Sequence, residues 1–246
     1  MDFAAIVERR LGGNYRLTLD GNEQYGRAEE FDELVELLQG TAQLRTLWAN
    51  TLAIEQPLAR SIALQAEHTA GVRELSRYKP VIIDESDATL FSYAQAKELG
   101  YRGVSSKNCK GAVKSLLNAG LTWLWNDRGA QDRYLMTGED LCTVGIVPVQ
   151  ADLCLVATLG LEHVERNGHH YHPGISYLPE PQQRQALAAH GDLYVQRQGI
   201  IGPAVRDGRF EIGSLQCNGF GFAVTPDMDA MTPAEEWQYE SLGLEE

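Results

Sequence analysis

Lysine is scarce in this chain of 246 residues. Only five occur, at positions 79, 97, 107, 110 and 114, so none lies in the first 78 residues. Lys plus Arg totals 21 against 34 Asp plus Glu, a net charge of −13. Nucleic acid and anionic membrane surfaces both require clustered cations, so neither is expected as a partner. Cysteine is equally thin: Cys109, Cys142, Cys154 and Cys217 form no C-x-x-C pair. Their wide spacing in a chain this long argues against a disulfide framework and for thiols in a reducing compartment. No apolar run approaches 18 residues, and the longest candidate region, 146–161, is interrupted by Pro148, Gln150 and Asp152. The N-terminal stretch M-D-F-A-A-I-V-E-R-R has an early acid and no apolar core of the kind a secretory signal needs. A soluble, cytoplasmic protein is therefore expected. No G-x-G-x-x-G follows the first strand, which removes the main sign of a dinucleotide-binding sheet.

What is present is ordinary globular material, 43% hydrophobic and 22% charged, at a length that suits one (β/α) barrel. Short β-rich runs alternate with amphipathic helical patterns. Strands are expected at 15–20, 51–55, 81–84, 103–107, 134–138 and 163–166. Helices are expected at 27–39, 60–78, 88–99, 110–124 and 148–159. Phe3–Leu11 is expected to be a helix as well. Trp123 and Trp125, beside Leu121 and Leu124, are expected in the helix core. Repeated βα units imply a parallel sheet with right-handed crossovers. After Pro179 that rhythm stops; short strands are expected at 192–195, 204–207 and 209–212, with Asp207-Gly208 as the turn between the last two. Two α/β architectures fit, a doubly wound sheet or a (β/α) barrel; the strand ends below favour the barrel, and the resemblance they carry implies a partial (β/α) TIM-type barrel of about six units over residues 1–178, with a C-terminal extension, 179–246, packing on it.

Three successive strands end in an acid: Asp20 after L-T-L, Glu55 after L-A-I and Asp84 after V-I-I. In a parallel barrel the C-terminal ends of neighbouring strands share one rim, so these carboxylates would converge. Close carboxylates push one another toward protonation unless a cation sits among them. Oxygen-only ligation on a rigid rim suits Mg²⁺. The fourth strand ends V-S-S-K107-N-C-K110-G. A lysine beside a bound dication has its ammonium form disfavoured and becomes a usable base. One acid after an apolar strand is commonly a helix cap. The ordered series acid, acid, acid, lysine on four consecutive strands is not accounted for by caps.

The motifs L-D-G-N-E (19–23), I-E-Q-P-L (54–58), I-I-D-E-S (82–86) and G-Y-R-G-V-S-S-K-N-C-K-G (100–111) resemble the enolase superfamily, in the branch of mandelate racemase and muconate-lactonizing enzyme. The look-alike stretch covers roughly residues 5–180. The resemblance implies Mg²⁺ ligands at Asp20, Glu55 and Asp84, and Lys107 as general base with Lys110 in the same loop. It implies a small carboxylate substrate and removal of its α-proton to give a metal-stabilised enediolate. The outcome would be dehydration, epimerisation or racemisation, or cycloisomerisation. By the same alignment Tyr15–Asp20 corresponds to the family's third barrel strand. The capping domain, the first two strands and the Lys-x-Lys pair of the second strand have no counterpart. With one base, two-base racemisation is disfavoured. The uncovered barrel edges would pair, in a homo-oligomer or otherwise. A truncated or degenerate barrel that binds metal without turnover is the alternative.

Weaker signals lie downstream. Asp140, closing the next strand, either orients substrate or partners Lys107, or else caps the following segment. The run E-H-V-E-R-N-G-H-H-Y-H (162–172) looks like a zinc site. Adjacent histidines on a strand face opposite ways, however, so His169 and His170 are poorly placed to share a metal. Glu165 or Arg166 at the end of the last strand, and His169 or His170 in its rim loop, remain candidates for substrate contact, as do Asn22 and Glu85 within the earlier motifs; a plain polar loop is the competing reading.

Overall fold

The computed structural model describes residues 2–129, 133–139, 145–165, 174–219 and 221–242. The chain divides into two compact units, residues 1–139 with 159–164, and residues 140–158 with 165–246.

The first unit opens with α1 (Asp2–Leu11), then β1 (Leu17–Asp20), α2 (Ala28–Gly40), α3 (Arg45–Asn50) and β2 (Thr51–Glu55). There follow α4 (Thr69–Tyr78), β3 (Val81–Ile83), α5 (Ser92–Leu99), β4 (Gly103–Ser106), α6 (Ala112–Asp127) and β5 (Leu135–Glu139). With β6 (Val164–Glu165) the strands form one six-stranded sheet in sequential order, β1 to β6. The pairings β1–β2, β2–β3, β3–β4 and β4–β5 are all parallel. This is a half-barrel of the TIM type. A sheet covered on both faces calls for continuous apolar strands, and Val81, Ile82 and Ile83 are all fully buried.

The core between sheet and helices gathers Phe31 and Val35 of α2, Val72 and Leu75 of α4, and Tyr93 and Ala96 of α5 against Ile54, Val81, Ile83 and Val104. Gly100 ends α5 at φ +107°, where a Cβ would come within 2.4 Å of Arg73 Cγ. Only glycine combines that backbone with that approach.

α6 departs from the expected packing. Trp125 is in the core, its ring 4.9 Å from Tyr93 and 5.1 Å from Tyr134. Trp123, expected beside it, is exposed. The two tryptophans are two positions apart, about 200° around the helix. Lys114, Ser115 and Asn118 are the residues α6 buries instead. Upstream, the helix expected over 60–78 begins only at Thr69 and that over 88–99 only at Ser92.

The second unit contains α7 (Pro148–Leu159), which has Pro148 in its first turn, α8 (Glu180–Ala189), β7 (Tyr194–Arg197) and β8 (Ile200–Pro203). Its core joins Ile146, Val149, Leu153, Ile175, Leu193, Tyr194 and Ile201. The β7–β8 hairpin turns at Gln198-Gly199, both with positive φ. Asp207-Gly208, expected to join two strands, makes only an isolated bridge between Arg206 and Arg209. Three residues of this unit share the side-chain types of a hydrolytic triad in a different connection. Ala223 N–H donates to His190 Nε2 at 3.1 Å, which leaves Nδ1 to carry the hydrogen and donate to Ser214 Oγ at 3.0 Å. Ser214 Oγ donates in turn to Asp192 Oδ1 at 2.5 Å. The imidazole is a donor to the serine, so it activates no nucleophile; the chain of bonds is a buried tie between α8 and the segment 213–223. Among the described residues no helix is long and apolar enough to cross a membrane.

Candidate active site

The sheet's strands all end toward one rim, and their last residues or the first loop residues carry the charges. Gly21, after β1, donates its N–H to Glu55 O at 2.8 Å. A Cβ on Gly21 would stand 2.6 Å from Pro57 Cα. The D-G and Q-P pairs of the two motifs are therefore a packing requirement: the β1 loop lies directly on the β2 loop. Glu23 adds a clasp, receiving Arg60 Nε at 2.8 Å, Arg60 Nη2 at 2.5 Å and the Arg60 backbone N–H at 2.6 Å.

Gln56 ties the β2 loop to the β3 loop. Its Oε1 accepts from Asp84 N–H at 2.8 Å and Ser86 N–H at 3.2 Å. Its Nε2 donates to Leu58 O and Ser86 Oγ, each at 2.7 Å. All four hydrogen-bonding positions of the carboxamide are used. The residue is fully buried and sits at φ +31°, a conformation held by these contacts.

Asp84 is buried at the centre of the charged group. Lys107 Nζ lies 2.5 Å from Asp84 Oδ2, 2.7 Å from Glu139 Oε2 and 3.8 Å from Glu85 Oε1. Lys110 Nζ donates to Asp84 Oδ1 at 2.5 Å, Asp84 O at 2.7 Å and Ser105 O at 3.0 Å. Three acceptors fill its three donors. The two lysines thus have different duties: Lys110 fastens the β3 and β4 loops, while Lys107 bridges two carboxylates.

Burial by itself would raise the Asp84 pKa, but Lys110 and Lys107 more than offset it and hold the group below its usual range. Burial opposes the Lys107 charge as well, yet its bonds to Asp84 and Glu139 leave the ammonium well above the ordinary lysine value. This differs from the sequence expectation of a depressed lysine. That expectation placed a dication beside Lys107; here two carboxylates act on it. Among the described residues no ammonium pairs with Glu55. Burial and then the Asp84 charge push it up to about 8, opposed by the Ser105 hydroxyl. Glu85 is raised to about 7 by burial and by Asp84. Glu139 is raised by burial against the pull of Lys107.

Carboxylate oxygens of Glu55, Asp84 and Glu139 lie within 4.8 Å of one another. Asp20, expected among the ligands, stands exposed at the end of β1 beside this group and accepts from Asn22 N–H at 2.8 Å and Asn22 Nδ2 at 3.1 Å. Its charge contributes to raising both Glu55 and Glu139. Asn22 is therefore engaged in fixing Asp20, at φ +41°. Glu85 borders Lys107. Glu165 ends β6, half-buried. Asp140 and His169 lie outside the described residues. Glu139 is the site residue that the sequence reading passed over in favour of its neighbour. Strand alternation carried the signal: Met136 packs on the helix-side core, so Thr137 and Glu139 take the other face.

Around one point there are five carboxylates, Asp20, Glu55, Asp84, Glu85 and Glu139, and two ammonium groups. The donor set is oxygen only, and Glu55 is held near neutrality for want of positive charge. Such a set fits a hard divalent cation.

No protein-family model matches the chain, and no curated protein matches it in sequence. Among solved structures it is similar to a muconate lactonizing enzyme from Klebsiella pneumoniae, at 22% identity and TM-score 0.44, over 66% of this chain and 41% of that one. It is also similar to a racemase from Streptomyces coelicolor A3(2) with bound magnesium, at 17% identity and TM-score 0.48, over 93% of this chain and 49% of that one. A 3-hexulose-6-phosphate synthase is matched at 16% identity and TM-score 0.35, over 62% and 63% of the two chains. The chain spans less than half the length of the first two and less than two thirds of the third.

Proposed function

We propose that this rim binds Mg²⁺ through Glu55 and Asp84, flanked by Asp20 and Glu139, and that Lys107 removes the proton α to the carboxylate of a small substrate. The observation that carries the reading is the position of Lys107 Nζ, 2.5 Å from Asp84 and 2.7 Å from Glu139, within a ring of acids that outnumber the lysines. A bound divalent cation would supply the positive charge that makes a substrate carboxylate's α-proton acidic. The rest of the work falls to this chain's own groups. Lys107 becomes a base when Asp84 and Glu139 direct their charge elsewhere, because those two carboxylates are what stabilise its ammonium. Lys110, with its donors satisfied by Asp84 and Ser105, keeps the Asp84 carboxylate in place and takes no proton. Gln56 sets the Asp84 backbone. The outcome of the reaction, whether dehydration, epimerisation, racemisation or cycloisomerisation, belongs to the substrate and to groups beyond this cluster.

A second reading has its own observation. Lys107 is held protonated between two carboxylates, and a chain in which that ion pair persists would bind metal and turn nothing over. Solvent deuterium separates the two. The enzyme reading expects Mg²⁺-dependent deuterium at the α-carbon of at least one carboxylate in a panel of acid sugars and amino-acid derivatives, lost in Lys107→Met. No exchange across the panel with Mg²⁺ bound would leave the second reading standing.

A further inference from the structure

α6 is built inside out. It buries Lys114, Ser115 and Asn118, and it exposes Val113 (71%), Leu116 (51%), Leu117 (49%) and Trp123 (66%). The buried side has a clear reason: Lys114 Nζ lies 3.3 Å from Asp87 Oδ2, and Asn118 Nδ2 donates to the same oxygen at 3.1 Å. This polar tie stands directly behind the β3 loop that carries Asp84. Among the described residues the outward side has no partner. Its residues recur as 113, 116/117, 120 and 123/124, the alternating three-and-four spacing of a helix that packs on another helix.

The apolar face continues onto the turn before α5, where Leu90 is 51% and Phe91 78% exposed. Between the two helices runs a groove of about 510 Å³, lined by Leu90, Phe91 and Ala94 on one side and Leu117, Gly120 and Leu124 on the other. The helix's charged residues are Lys114, engaged inside, and Asp127 at its last position. From 112 to 126 it therefore presents no exposed charge, in a chain of net charge −13. Weighting these side chains by their exposure gives on the order of 600 Å² of apolar surface. A single patch of that size is at the upper end of what a monomer shows.

We propose that this face is a homodimer interface, in which α6 packs antiparallel on α6 of a second copy across a two-fold axis near Gly120. Three observations favour a second copy over another occupant. Two copies would bury roughly 1,200 Å², the lower bound for a stable interface. Like-charged chains repel wherever they meet except across an uncharged face, and this is such a face. At the crossing point Gly120 has open space above it, with nothing within 4 Å of a Cβ built there, so two backbones can approach closely. The antiparallel sense follows from the helix dipole. Centred on Gly120, it sets Asp127 beside the positive N-terminal end of the second copy's α6.

Sedimentation of the full chain from about 1 to 100 µM tests this, since a surface of this size supports micromolar association. The expected result is a species of twice 27.2 kDa. Gly120→Glu puts a charge at the axis, yet improves helix propensity, so the fold is kept and association weakens by about 100-fold or more. Phe3→Glu, at an exposed apolar residue on α1, leaves association unchanged. With dissolved oxygen as the oxidant, Gly120→Cys gives a disulfide-linked dimer that the parent chain, with Cys109 and Cys217 exposed, does not form. A monomer over the whole range, a dimer indifferent to Gly120→Glu, or a monomer whose patch instead takes up detergent micelles would overturn the proposal.

Discussion

Glu55 gives the sharpest handle on the site. Buried beside Asp84, it is pushed from 4.5 to about 8. An unfolded chain holds the same group near 4.5, so between these values the folded state binds a proton that the unfolded state has released. Stability attributable to Glu55 is therefore lost as pH rises from about 4.5 to 8, opposite in sign to a salt-bridged acid. At pH 7 the cost is on the order of 3 kcal/mol, about 1.4 kcal/mol for each pH unit crossed. Glu55→Gln removes the titration and keeps the shape. Its chain is expected to match the parent near pH 4.5 and to exceed it by about 4 kcal/mol near pH 8 in denaturant melts without divalent ions. Cation binding should reverse the balance. Because a ligand carboxylate must be ionised, Mg²⁺ uptake at pH 7 should expel close to one proton per chain, and the apparent Kd should tighten about tenfold per unit up to pH 8, then level off. Calorimetry in buffers of different ionisation enthalpy reads the proton directly. A pH-independent Kd, or a Glu55→Gln chain destabilised equally at pH 5 and pH 8, would exclude a raised Glu55 as the group that titrates.

Other perturbations probe the surroundings. Lys107→Met leaves Asp84 and Glu139 facing each other without their shared ammonium, and should destabilise the metal-free chain by about 3–5 kcal/mol in denaturant melts, with millimolar Mg²⁺ restoring part of it. Gln56→Leu strands the Asp84 and Ser86 N–H groups, for about 2–4 kcal/mol of stability in denaturant melts, and should weaken Mg²⁺ affinity by calorimetry. Gly21→Ala, whose Cβ would meet Pro57 Cα at 2.6 Å, should unfold more readily although the residue carries no chemistry; a thermal melt checks it. His190, lowered by burial and accepting from Ala223 N–H, resists protonation in the folded state. Its contribution is complete above the ordinary histidine value of about 6.5 and is lost as pH falls below it. The protection factor of the Ala223 amide against hydrogen exchange should fall there in the parent chain and less so in His190→Gln.

Much of the half-barrel is legible in the sequence because its strands are short β-branched runs with a polar stop: T-L-A-I-E and V-I-I-D announce both their faces and their ends. α8 is not, since E-P-Q-Q-R-Q-A-L-A-A shows no apolar period; its helix is fixed by Gln182 and Ala186 packing in the second unit's core. The hairpin there could turn at Gln198-Gly199 or at Asp207-Gly208 on local chemistry. Tyr194 and Ile201, buried in that core, select the first. At the site, Glu55, Asp84 and Lys107 follow from strand ends. Gln56 and the Asp87–Lys114–Asn118 tie do not, because a glutamine or an asparagine declares its role only through the partners a fold brings to it. Glu139 and Asp140 differ by one position, and only the direction of the preceding residues separates them.

The rim carboxylates are proposed to hold a divalent cation. Titration with Mn²⁺, followed by electron paramagnetic resonance and then displaced by Mg²⁺, tests it most directly. One Mn²⁺ should disappear from the free signal per 27.2 kDa chain, return on addition of Mg²⁺, and remain free with Asp84→Asn. An unchanged free signal with the parent chain, or equal uptake by Asp84→Asn, would contradict it.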